Sequence, residues 1–427
     1  MRISFLRLFV PVPHRLWFMM KAKIAVVATT TAINPEKGLN RMFFLAELLG
    51  KNGYEVDFIT SDFQHWSKDY RVVEDVKKYS NYCNIVLLHE TGYKKNIDVR
   101  RIYSHYVLAK NIGNYLKTKE YDLIYSDLPD NHVAAICGKY AKKRGIPFVA
   151  DVEDLWPKAM RMVFDVPVLS DIAFYYFSHD AKLTYKLCSA IVGSSDTYRD
   201  DPLNYGIEKE KKITVYVGTD IKKFDDGAAE NARYVIKNDD EFWVTYAGTL
   251  GTSYDLKTFI STADIIRKKG KNNIKFLLLG DGPLRKELEL LAQSLTGEVR
   301  FLGYMPFEKM AGYLVKSDLV VNSVRKDAPQ SIVSKIGDYL ASGKPMINTC
   351  VDPEFWKKVE QDNFGINVEP GNPALLAESI IDLETDKEKC KTMSENARRI
   401  GEEQFDRSYA FMKIVKLIDE LLSGKSK

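Results

Sequence analysis

The feature that most constrains the fold of this chain is an alternation between short apolar runs and amphipathic helical patterns, which begins at Lys23. The apolar runs are rich in branched residues, and the segments between them repeat apolar residues at helical spacing. This order is typical of βαβ units, in which neighbouring strands run parallel and helices cover the sheet. The sequence therefore predicts an α/β protein.

The alternation occurs in two series, which predicts two Rossmann-like domains in a chain of 427 residues. The expected strands of the first series are Ile24–Ala28, Val56–Thr60, Ile85–Leu88, Asp122–Tyr125, Pro147–Ala150, Ala190–Gly193 and Ile213–Val217. Those of the second series are Phe242–Tyr246, Ile274–Leu279, Val299–Leu302, Asp318–Val321 and Pro345–Asn348. We expect domains over residues 21–222 and 223–401, with the polar stretch Asp225–Asp240 as the linker region. Helices are expected at Leu39–Lys51 and Glu402–Leu422.

Residues 1–20 form a separate N-terminal extension. Three arginines and two prolines interrupt its apolar residues, so it lacks the roughly 18–20 apolar residues that a membrane-spanning helix needs. It also lacks the small-residue cleavage site of a secretory signal peptide. Two interpretations stay open: translation that starts at Met19 or Met20, and a basic amphipathic patch that lies on anionic lipid.

Composition narrows the function classes. The net charge of +4 is too small to indicate nucleic-acid binding, although it suits an acidic ligand or an anionic membrane surface. The five cysteines are scattered without a CxxC pair, and the six histidines are dispersed. This distribution argues against a disulfide framework or a zinc site and predicts a cytoplasmic protein with reduced thiols. We expect neither a metal nor a cofactor.

Three glycine-containing loops follow expected strands of the second series, where open α/β sheets bind ligands. They are Gly248, Thr249, Leu250 and Gly251 in the first loop, Asp281 in the second, and Gly303, Tyr304 and Met305 in the third. The first loop is neither a Walker A loop nor a G-x-G-x-x-G fingerprint. The first two loops also have a purely structural interpretation, namely a tight turn and a helix cap by Asp281. In the third loop, exposed backbone could form hydrogen bonds with the edge of a base.

The segment Gln330–Pro345 carries the strongest signal. Ile336, Tyr339 and Leu340 share one helix face with Ile332, while Lys335 and Asp338 lie on another. A carboxylate can accept hydrogen bonds from vicinal ribose hydroxyls, and a lysine can pair with phosphate. The alternative is a solvated Lys/Asp face.

The segment KIGDYLASGKPMI resembles the block K-x-x-E-Y-x-A-x-G-K-P of the retaining GT-B glycosyltransferases of family 4 (group 1), whose bacterial members build capsules, exopolysaccharide and lipopolysaccharide. The resemblance implies two Rossmann-like domains that face each other across a cleft, with a C-terminal helix (402–427) that crosses back to the first domain. It also implies a donor site formed by the three loops together with Gln330, Ser334, Lys335 and Asp338.

This sequence departs from the family pattern at two points. Gln330 and Asp338 occupy the positions of two glutamates, so a charge near the donor sugar is missing. The arginine and lysine that family members use for the diphosphate are not evident in the first loop. Lys335 and the backbone of Gly248–Gly251 would have to compensate, with Arg325 or Lys326 as further candidates. Val217-Gly218-Thr219-Asp220 resembles the segment that leads into the second domain.

In the first half, Asp151–Pro157 resembles the D-x-x-D-L-W-P block of the polysaccharide-building branch. The catalytic candidates, which we expect after strands, are Asp127, Asp151, Glu153 and Asp154. The acceptor-binding candidates are Asn40, Arg41, His65, Lys94, Lys95 and Trp156. Asp151-x-Glu153 also resembles the metal-binding pair of the single-domain GT-A class. We reject this interpretation, because a GT-A fold would not explain the loops of the second half. Trp156 could simply pack, each histidine could satisfy a local hydrogen bond, and the basic residues from Lys94 to His105 could form a solvated helix face.

The resemblance implies transfer of a sugar from a UDP- or GDP-sugar to a glycan acceptor, without a metal and with retention of configuration. It also implies a lipid-linked acceptor and a cytoplasmic protein at the inner face of the plasma membrane. Two alternatives stay open: a sugar-nucleotide 2-epimerase, and a catalytically silent partner protein. Only the epimerase would change a free sugar nucleotide without an acceptor.

Overall fold

A computed structural model of the chain describes residues 21–34, 36, 40–76, 78–95, 98–156, 169–328 and 332–424. The N-terminal extension 1–20 and the predicted donor ligand Gln330 lie outside the described residues, so the predictions for them stay as they are.

The first half of the chain forms a seven-stranded sheet and a short hairpin. The sheet strands are β1 (Lys23–Val27), β2 (Glu55–Ser61), β5 (Asn84–Leu88), β6 (Leu123–Leu128), β7 (Phe148–Val152), β8 (Ala190–Gly193) and β9 (Lys212–Thr214). Their order is β5-β2-β1-β6-β7-β8-β9. The pairs β1–β2, β2–β5, β7–β8 and β8–β9 are parallel. The hairpin consists of β3 (Phe63–Gln64) and β4 (Asp69–Tyr70), which are antiparallel.

Six helices of the first half are described. They are α1 (Arg41–Lys51), α2 (Val73–Val76), α3 (Val99–Lys117), α4 (Asn131–Arg144), α5 (Leu169–Leu187) and α6 (Asp196–Arg199). A 3-10 turn follows at Asp201–Tyr205. Within the described ranges of the whole chain, no helix is both long and apolar enough to cross a membrane.

The second half forms a six-stranded sheet whose strand pairs are all parallel. Its strands are β10 (Phe242–Ala247), β11 (Ile274–Leu279), β12 (Val299–Gly303), β13 (Leu319–Asn322), β14 (Met346–Asn348) and β15 (Gly365–Asn367), in the order β12-β11-β10-β13-β14-β15. Its helices are α7 (Ile221–Asn231), α8 (Leu256–Lys268), α9 (Arg285–Gln293), α10 (Phe307–Lys316), α11 (Lys335–Ala341), α12 (Pro353–Asp362), α13 (Pro373–Thr385) and α14 (Lys387–Ile400). The chain then continues through a π-helical turn at Gly401–Phe405, α15 (Arg407–Ala410) and α16 (Met412–Ser423).

Both faces of the second sheet are covered, which the strand sequences explain. Along β10, Trp243 and Ala247 contribute to one buried cluster, and Val244 and Tyr246 contribute to the other. Successive side chains of a strand point to opposite faces, so a strand with apolar residues on both faces must be covered on both sides. This two-sided core fixes the strand ends, and therefore the loops that follow them.

Two predictions about connecting segments are wrong. The stretch Asp225–Asp240 is not a linker throughout, because α7 occupies its beginning and buries Phe224 and Ala228. The Asp220 side chain caps this helix by accepting a hydrogen bond from the Lys223 N–H at 2.9 Å. The expected single helix Glu402–Leu422 is divided at Phe405–Asp406, where the backbone pairs with Thr219.

Several strand ends also differ from prediction. The expected strand Ile213–Val217 is shorter and lies at Lys212–Thr214. The strands β3, β4 and β15 were not predicted, because runs of two or three residues carry no periodic signal. The two domain boundaries, and the packing of the last helix onto the first domain, stay predictions.

Candidate functional site

The loops after β10, β11 and β12 meet at the carboxyl edge of the second sheet. The Gly248 N–H donates to the Leu279 carbonyl oxygen at 2.9 Å, and the Gly280 N–H donates to the Gly303 carbonyl oxygen at 2.8 Å. These bonds continue the parallel ladder past the strand ends. The structure therefore brings together the three loops in which the sequence predicts donor ligands.

Two glycines are required for this close approach. Gly248 and Gly280 have φ angles of +152° and +128°, which are costly for any residue with a Cβ. A Cβ atom at position 280 would lie 1.9 Å from the Gly248 carbonyl oxygen, and one at position 248 would lie 2.9 Å from Lys335 Nζ. The loop backbone therefore lies directly against the Lys335 side chain.

Leu250 has a structural role that the sequence analysis did not foresee. Its N–H donates to the Asp281 carbonyl oxygen at 3.0 Å, its carbonyl oxygen accepts from the Leu284 N–H at 3.1 Å, and its side chain is buried in the core. The backbone N–H groups of Leu250 and Gly248 are thus already used. In the described chain, no hydrogen bond occupies the N–H of Thr249 or Gly251, so these two groups can still donate to an anion.

Lys335 is buried in a box of two tyrosine rings. Its Nζ lies 4.2 Å from the ring centroid of Tyr246 and 3.6 Å from that of Tyr254. It donates a hydrogen bond to Tyr246 Oη at 2.9 Å. Among the residues that the structure describes, no carboxylate forms an ion pair with this ammonium group. Burial lowers the pKa of Lys335 well below its usual value, because the cation–π contacts do not fully replace its lost hydration.

Asp338 lies one helical turn after Lys335 and is half-buried. Burial raises the pKa of its carboxyl to about 6, and this shift is opposed by a hydrogen bond with Thr219 and by the charge of Arg407. Burial therefore destabilises the ionised form of Asp338, which lies near the segment Val217–Asp220. Additional hydrogen-bond donors, such as the hydroxyls of a ribose, would stabilise this ionised carboxylate.

Arg407 is a residue that the sequence analysis missed. Its guanidinium donates to the carbonyl oxygens of Val217 and Gly218, both at 3.1 Å. Its own N–H donates to the Thr219 carbonyl oxygen at 2.8 Å. A single arginine after a helix gives no sequence signal, because only the fold brings it to a segment about 190 residues earlier in the chain.

A second missed cation lies at the third loop. Arg285 Nη1 is 3.4 Å from Asp281 Oδ2 and would be 3.2 Å from a Cβ atom at Gly303. Asp281 accepts from the Gly282 N–H and is not the cap of α9, whose cap position is Leu284; its predicted capping role is wrong. Tyr304 is exposed beside this group.

The remaining predicted donor residues lie in the loops of the second half and at the start of α11. Met305 is half-buried, and Ser334 is exposed at the start of α11 without a side-chain capping bond. Arg325 forms an ion pair with Asp327 at 2.7 Å and lies beside the first loop, 3.4 Å from the Thr252 carbonyl oxygen. It remains a candidate for the diphosphate.

Two catalytic candidates of the first half lie inside strands, contrary to the prediction that they follow them. Asp127 belongs to β6 and Asp151 to β7, and both are buried. The strands continue two or three residues beyond their predicted ends. Glu153 is the first candidate outside its strand, and its N–H donates to the Leu128 carbonyl oxygen at 3.1 Å.

Asp154 and Trp156 form a local structure of their own. Asp154 accepts hydrogen bonds from the Leu155 N–H at 2.8 Å and from Trp156 Nε1 at 3.2 Å. The Asn131 amide donates to the carbonyl oxygens of Trp156 and Phe177. Asn131 is buried and was not predicted, although it positions the loop that carries these candidates.

The acceptor candidates of the first half lie in different environments. Asn40 precedes α1 and donates to Asn34 Oδ1 at 2.9 Å, whereas Arg41 is almost completely buried. Lys94 and Lys95 are exposed. His65 is half-buried, and its Nδ1 contacts Tyr93 Oη.

Comparison with known proteins finds a similarity that is confined to part of the chain in the family model and in the curated relative. Residues 229–400 match the model of the glycosyl transferases group 1. An uncharacterised glycosyltransferase of Methanocaldococcus jannaschii is 28% identical over 150 residues, or 35% of this chain and 41% of the relative. The match thus spans less than half the length of that curated relative.

Residues 229–400 are thus similar in sequence to the glycosyl transferases group 1. The structure of HepE from Anabaena, solved with UDP, has a TM-score of 0.68 at 17% identity and covers 93% of this chain and 100% of its own. Sucrose-phosphate synthase from Thermosynechococcus elongatus has a TM-score of 0.70 at 18% identity, with coverages of 94% and 99%. The predicted fold class, GT-B with two Rossmann-like parallel sheets, is confirmed.

The Asp338 environment predicts a pH-dependent gain in stability on substitution. The carboxyl pKa is raised from 3.8 to about 6 in the fold, so the native state binds more protons than the unfolded state between these values. The contribution of Asp338 to stability is therefore lost as the pH rises through this window. We expect Asp338→Asn to raise the free energy of unfolding at pH 7.5 by about 1–2 kcal/mol and to change it little at pH 4.

Urea denaturation at the two pH values measures this effect. Asp239→Asn removes the same charge from an exposed turn and should have little effect at either pH. A loss of stability in Asp338→Asn at pH 7.5 would contradict the account of this carboxylate.

Proposed function

We propose that the chain transfers a sugar from a nucleoside diphosphate sugar to a hydroxyl group of an acceptor. The observation that carries the proposal is the Lys335 box: a buried ammonium group, at the loop edge of a group 1 domain, that the described residues do not pair with a carboxylate. A diphosphate would supply the missing negative charge. A relative of the same fold, HepE from Anabaena, was solved in complexes with UDP and with UDP-glucose, which supports UDP as the nucleotide; GDP is the alternative.

The proposed reaction needs no separate base. The acceptor oxygen forms a bond to the anomeric carbon on the face from which the diphosphate leaves, so the configuration is retained. The Lys335 ammonium and the N–H groups of Thr249 and Gly251 would stabilise the charge on the departing diphosphate. A diphosphate oxygen would take the acceptor proton. Asp338 would accept hydrogen bonds from the ribose hydroxyls.

The first half supports an acceptor at a membrane surface. Helix α3 contains no acidic residue, and its outward face exposes Val99, Ile102, Tyr103 and Tyr106. The spacing of these residues places them on one side of the helix, with exposed basic residues around them. Such a face suits the interface of an anionic bilayer. This supports a lipid-linked glycan as the acceptor, and with it the capsule, exopolysaccharide or lipopolysaccharide branch of family 4.

Donor binding is tested by thermal shift with UDP, GDP, ADP and CMP and their sugar conjugates. We expect one nucleoside diphosphate to raise the melting temperature by linkage, and Lys335→Met to abolish that rise without lowering the melting temperature of the free protein. Lys358→Met, a substitution on the neighbouring helix α12, is the charge-matched control. A shift that persists in Lys335→Met would contradict the assigned role.

Product analysis distinguishes the enzymatic alternatives. Incubation of the sugar nucleotide without acceptor should leave the sugar configuration unchanged, whereas a 2-epimerase would interconvert the free sugar nucleotide. If no nucleotide binds, the catalytically silent partner becomes the better hypothesis.

Membrane binding is tested by co-sedimentation with vesicles of phosphatidylglycerol and of phosphatidylcholine. We expect binding to the anionic vesicles that weakens with salt, and a several-fold loss of binding in the double variant Ile102→Gln/Tyr103→Gln. The control Tyr234→Gln/Ile236→Gln changes two residues of the second half that are more exposed than Ile102 and Tyr103. Equal losses in both variants would contradict an α3 docking face.

A further inference from the structure

We propose a second anion site, for a phosphate or diphosphate group, in the first half of the chain. It is formed by four basic side chains around one buried tyrosine. The basic residues are His65, Lys68, Arg101 and His105, and the tyrosine is Tyr93. The proposal rests on the proposed function only in naming the acceptor's diphosphate as the ligand.

The four groups surround Tyr93 at short distances. His65 Nδ1 lies 2.5 Å from Tyr93 Oη, and Lys68 Nζ lies 3.5 Å from the same nitrogen. Lys68 Nζ is 4.6 Å from the centroid of the tyrosine ring. The Arg101 guanidinium carbon is 5.5 Å and the centroid of the His105 ring 5.8 Å from the same centroid. All four are partly accessible.

Two rigid elements supply these side chains. His65 and Lys68 lie in the turn of the β3–β4 hairpin, where Gln64 Oε1 accepts from the N–H groups of Trp66 at 2.6 Å and Ser67 at 2.8 Å. Lys68 has a φ angle of +63°, a conformation that costs energy for a residue with a side chain. Arg101 and His105 are four residues apart on α3 and therefore share a face.

The hairpin itself is fixed to the sheet by a buried arginine. Arg71 forms a two-bond ion pair with Glu36, at 2.8 Å each, and donates to the carbonyl oxygens of Ser61 and Thr31 at 2.7 Å. This anchoring holds the basic turn at the carboxyl end of β2. Open α/β sheets bind their ligands at such strand ends.

The cluster holds like charges close together. The pKa of His65 is lowered to about 3, first by burial and then by the charges of Lys68, Arg101 and His105. Burial and the charge of Arg101 also lower the pKa of Lys68. The fold thus keeps these groups together at an electrostatic cost that a bound anion would remove.

Glu90 is the acidic group that faces Lys68 from the sheet, and it raises the pKa of that lysine. It is buried, and its two carboxylate oxygens accept hydrogen bonds from Ser61 Oγ at 2.7 Å and Ser104 Oγ at 2.8 Å. An ammonium, a guanidinium and two imidazoles can all donate hydrogen bonds. A phosphoryl group, which has several oxygens, can accept more of these bonds than a second carboxylate can.

The test uses the histidine ring signals in NMR spectra of the full chain labelled in its histidines. The protein is saturated with UDP, so that the site in the second half does not take up the added anion. It is then titrated with inorganic pyrophosphate and, separately, with farnesyl diphosphate. We expect the signals of His65 and His105 to move, and those of His89, His132 and His179 to stay.

The variant Lys68→Gln should weaken pyrophosphate binding by about tenfold, the loss of one charge-assisted hydrogen bond. Lys117→Gln removes an equal charge from the last turn of α3 and should leave the affinity unchanged. His105→Gln, a second variant, should weaken binding as well if Lys68→Gln does not fold. Immobile His65 and His105 signals at millimolar pyrophosphate, or equal affinities in Lys68→Gln and Lys117→Gln, would overturn the site.

The two ligands distinguish the source of the anion. Tighter binding of farnesyl diphosphate than of pyrophosphate supports the site as the receptor of a lipid-linked diphosphate, and equal binding supports it as a site for free pyrophosphate. The proposed transferase activity is judged separately by the UDP-induced thermal shift and by product analysis. If one proposal fails its own experiment, the other is still tested by its separate measurement.

Discussion

The proposed donor site in the second half depends on how the chain buries the ammonium group of Lys335. Desolvating a charge costs several kcal/mol unless other groups compensate, and here two tyrosine rings and one hydroxyl compensate in part. The box persists because α11 is fixed to β10: Tyr339 Oη accepts from the Ala247 N–H at 2.8 Å and donates to the Ala247 carbonyl oxygen at 3.1 Å. The sheet core thus stabilises a site that is electrostatically incomplete, which is typical of a site that awaits a ligand.

The same helix connects the site to the segment Val217–Asp220. A Cβ atom at Gly337 would lie 2.7 Å from the Gly218 carbonyl carbon, so the two backbones are in direct contact. Asp338, the next residue, interacts with Thr219 and with Arg407. Tyr216 stacks on Phe405 at 4.5 Å between ring centroids. A ribose that engaged Asp338 would therefore act on the segment that joins the two series of strands, and on the segment before the last helices.

The sequence was sufficient to predict the strand series and the glycine loops, because buried parallel strands are apolar throughout and the loops between them are punctuated by glycine. It could not predict the partners of Lys335, because Tyr246 and Tyr254 are 89 and 81 residues earlier and only the sheet brings them together. It also could not predict that Asp127 and Asp151 lie inside strands, because each strand continues past the end of its apolar run and buries the carboxylate.

Missed cations share a different cause. Arg285 contacts Asp281 in the loop just before its own helix, and Arg407 contacts Gly218, which is 189 residues earlier in the chain. Neither arginine belongs to a sequence motif. The basic cluster around Tyr93 was visible only in part, as the residues from Lys94 to His105. The hairpin that adds His65 and Lys68 is too short for a periodic signal.

The central claim is that Lys335 supplies the counter-charge for a diphosphate, and the number of protons taken up on binding tests it most directly. Because burial lowers the pKa of Lys335 and a bound anion would raise it again, binding of UDP should take up protons between the pKa values of the free and the bound lysine. The titrations are made at several pH values above 7, where the phosphates are already ionised. Calorimetric titrations in buffers of different ionisation enthalpy measure this uptake. The account predicts a net uptake in the wild-type protein that Lys335→Met abolishes. UDP binding without proton uptake, or with the same uptake in Lys335→Met, would contradict it.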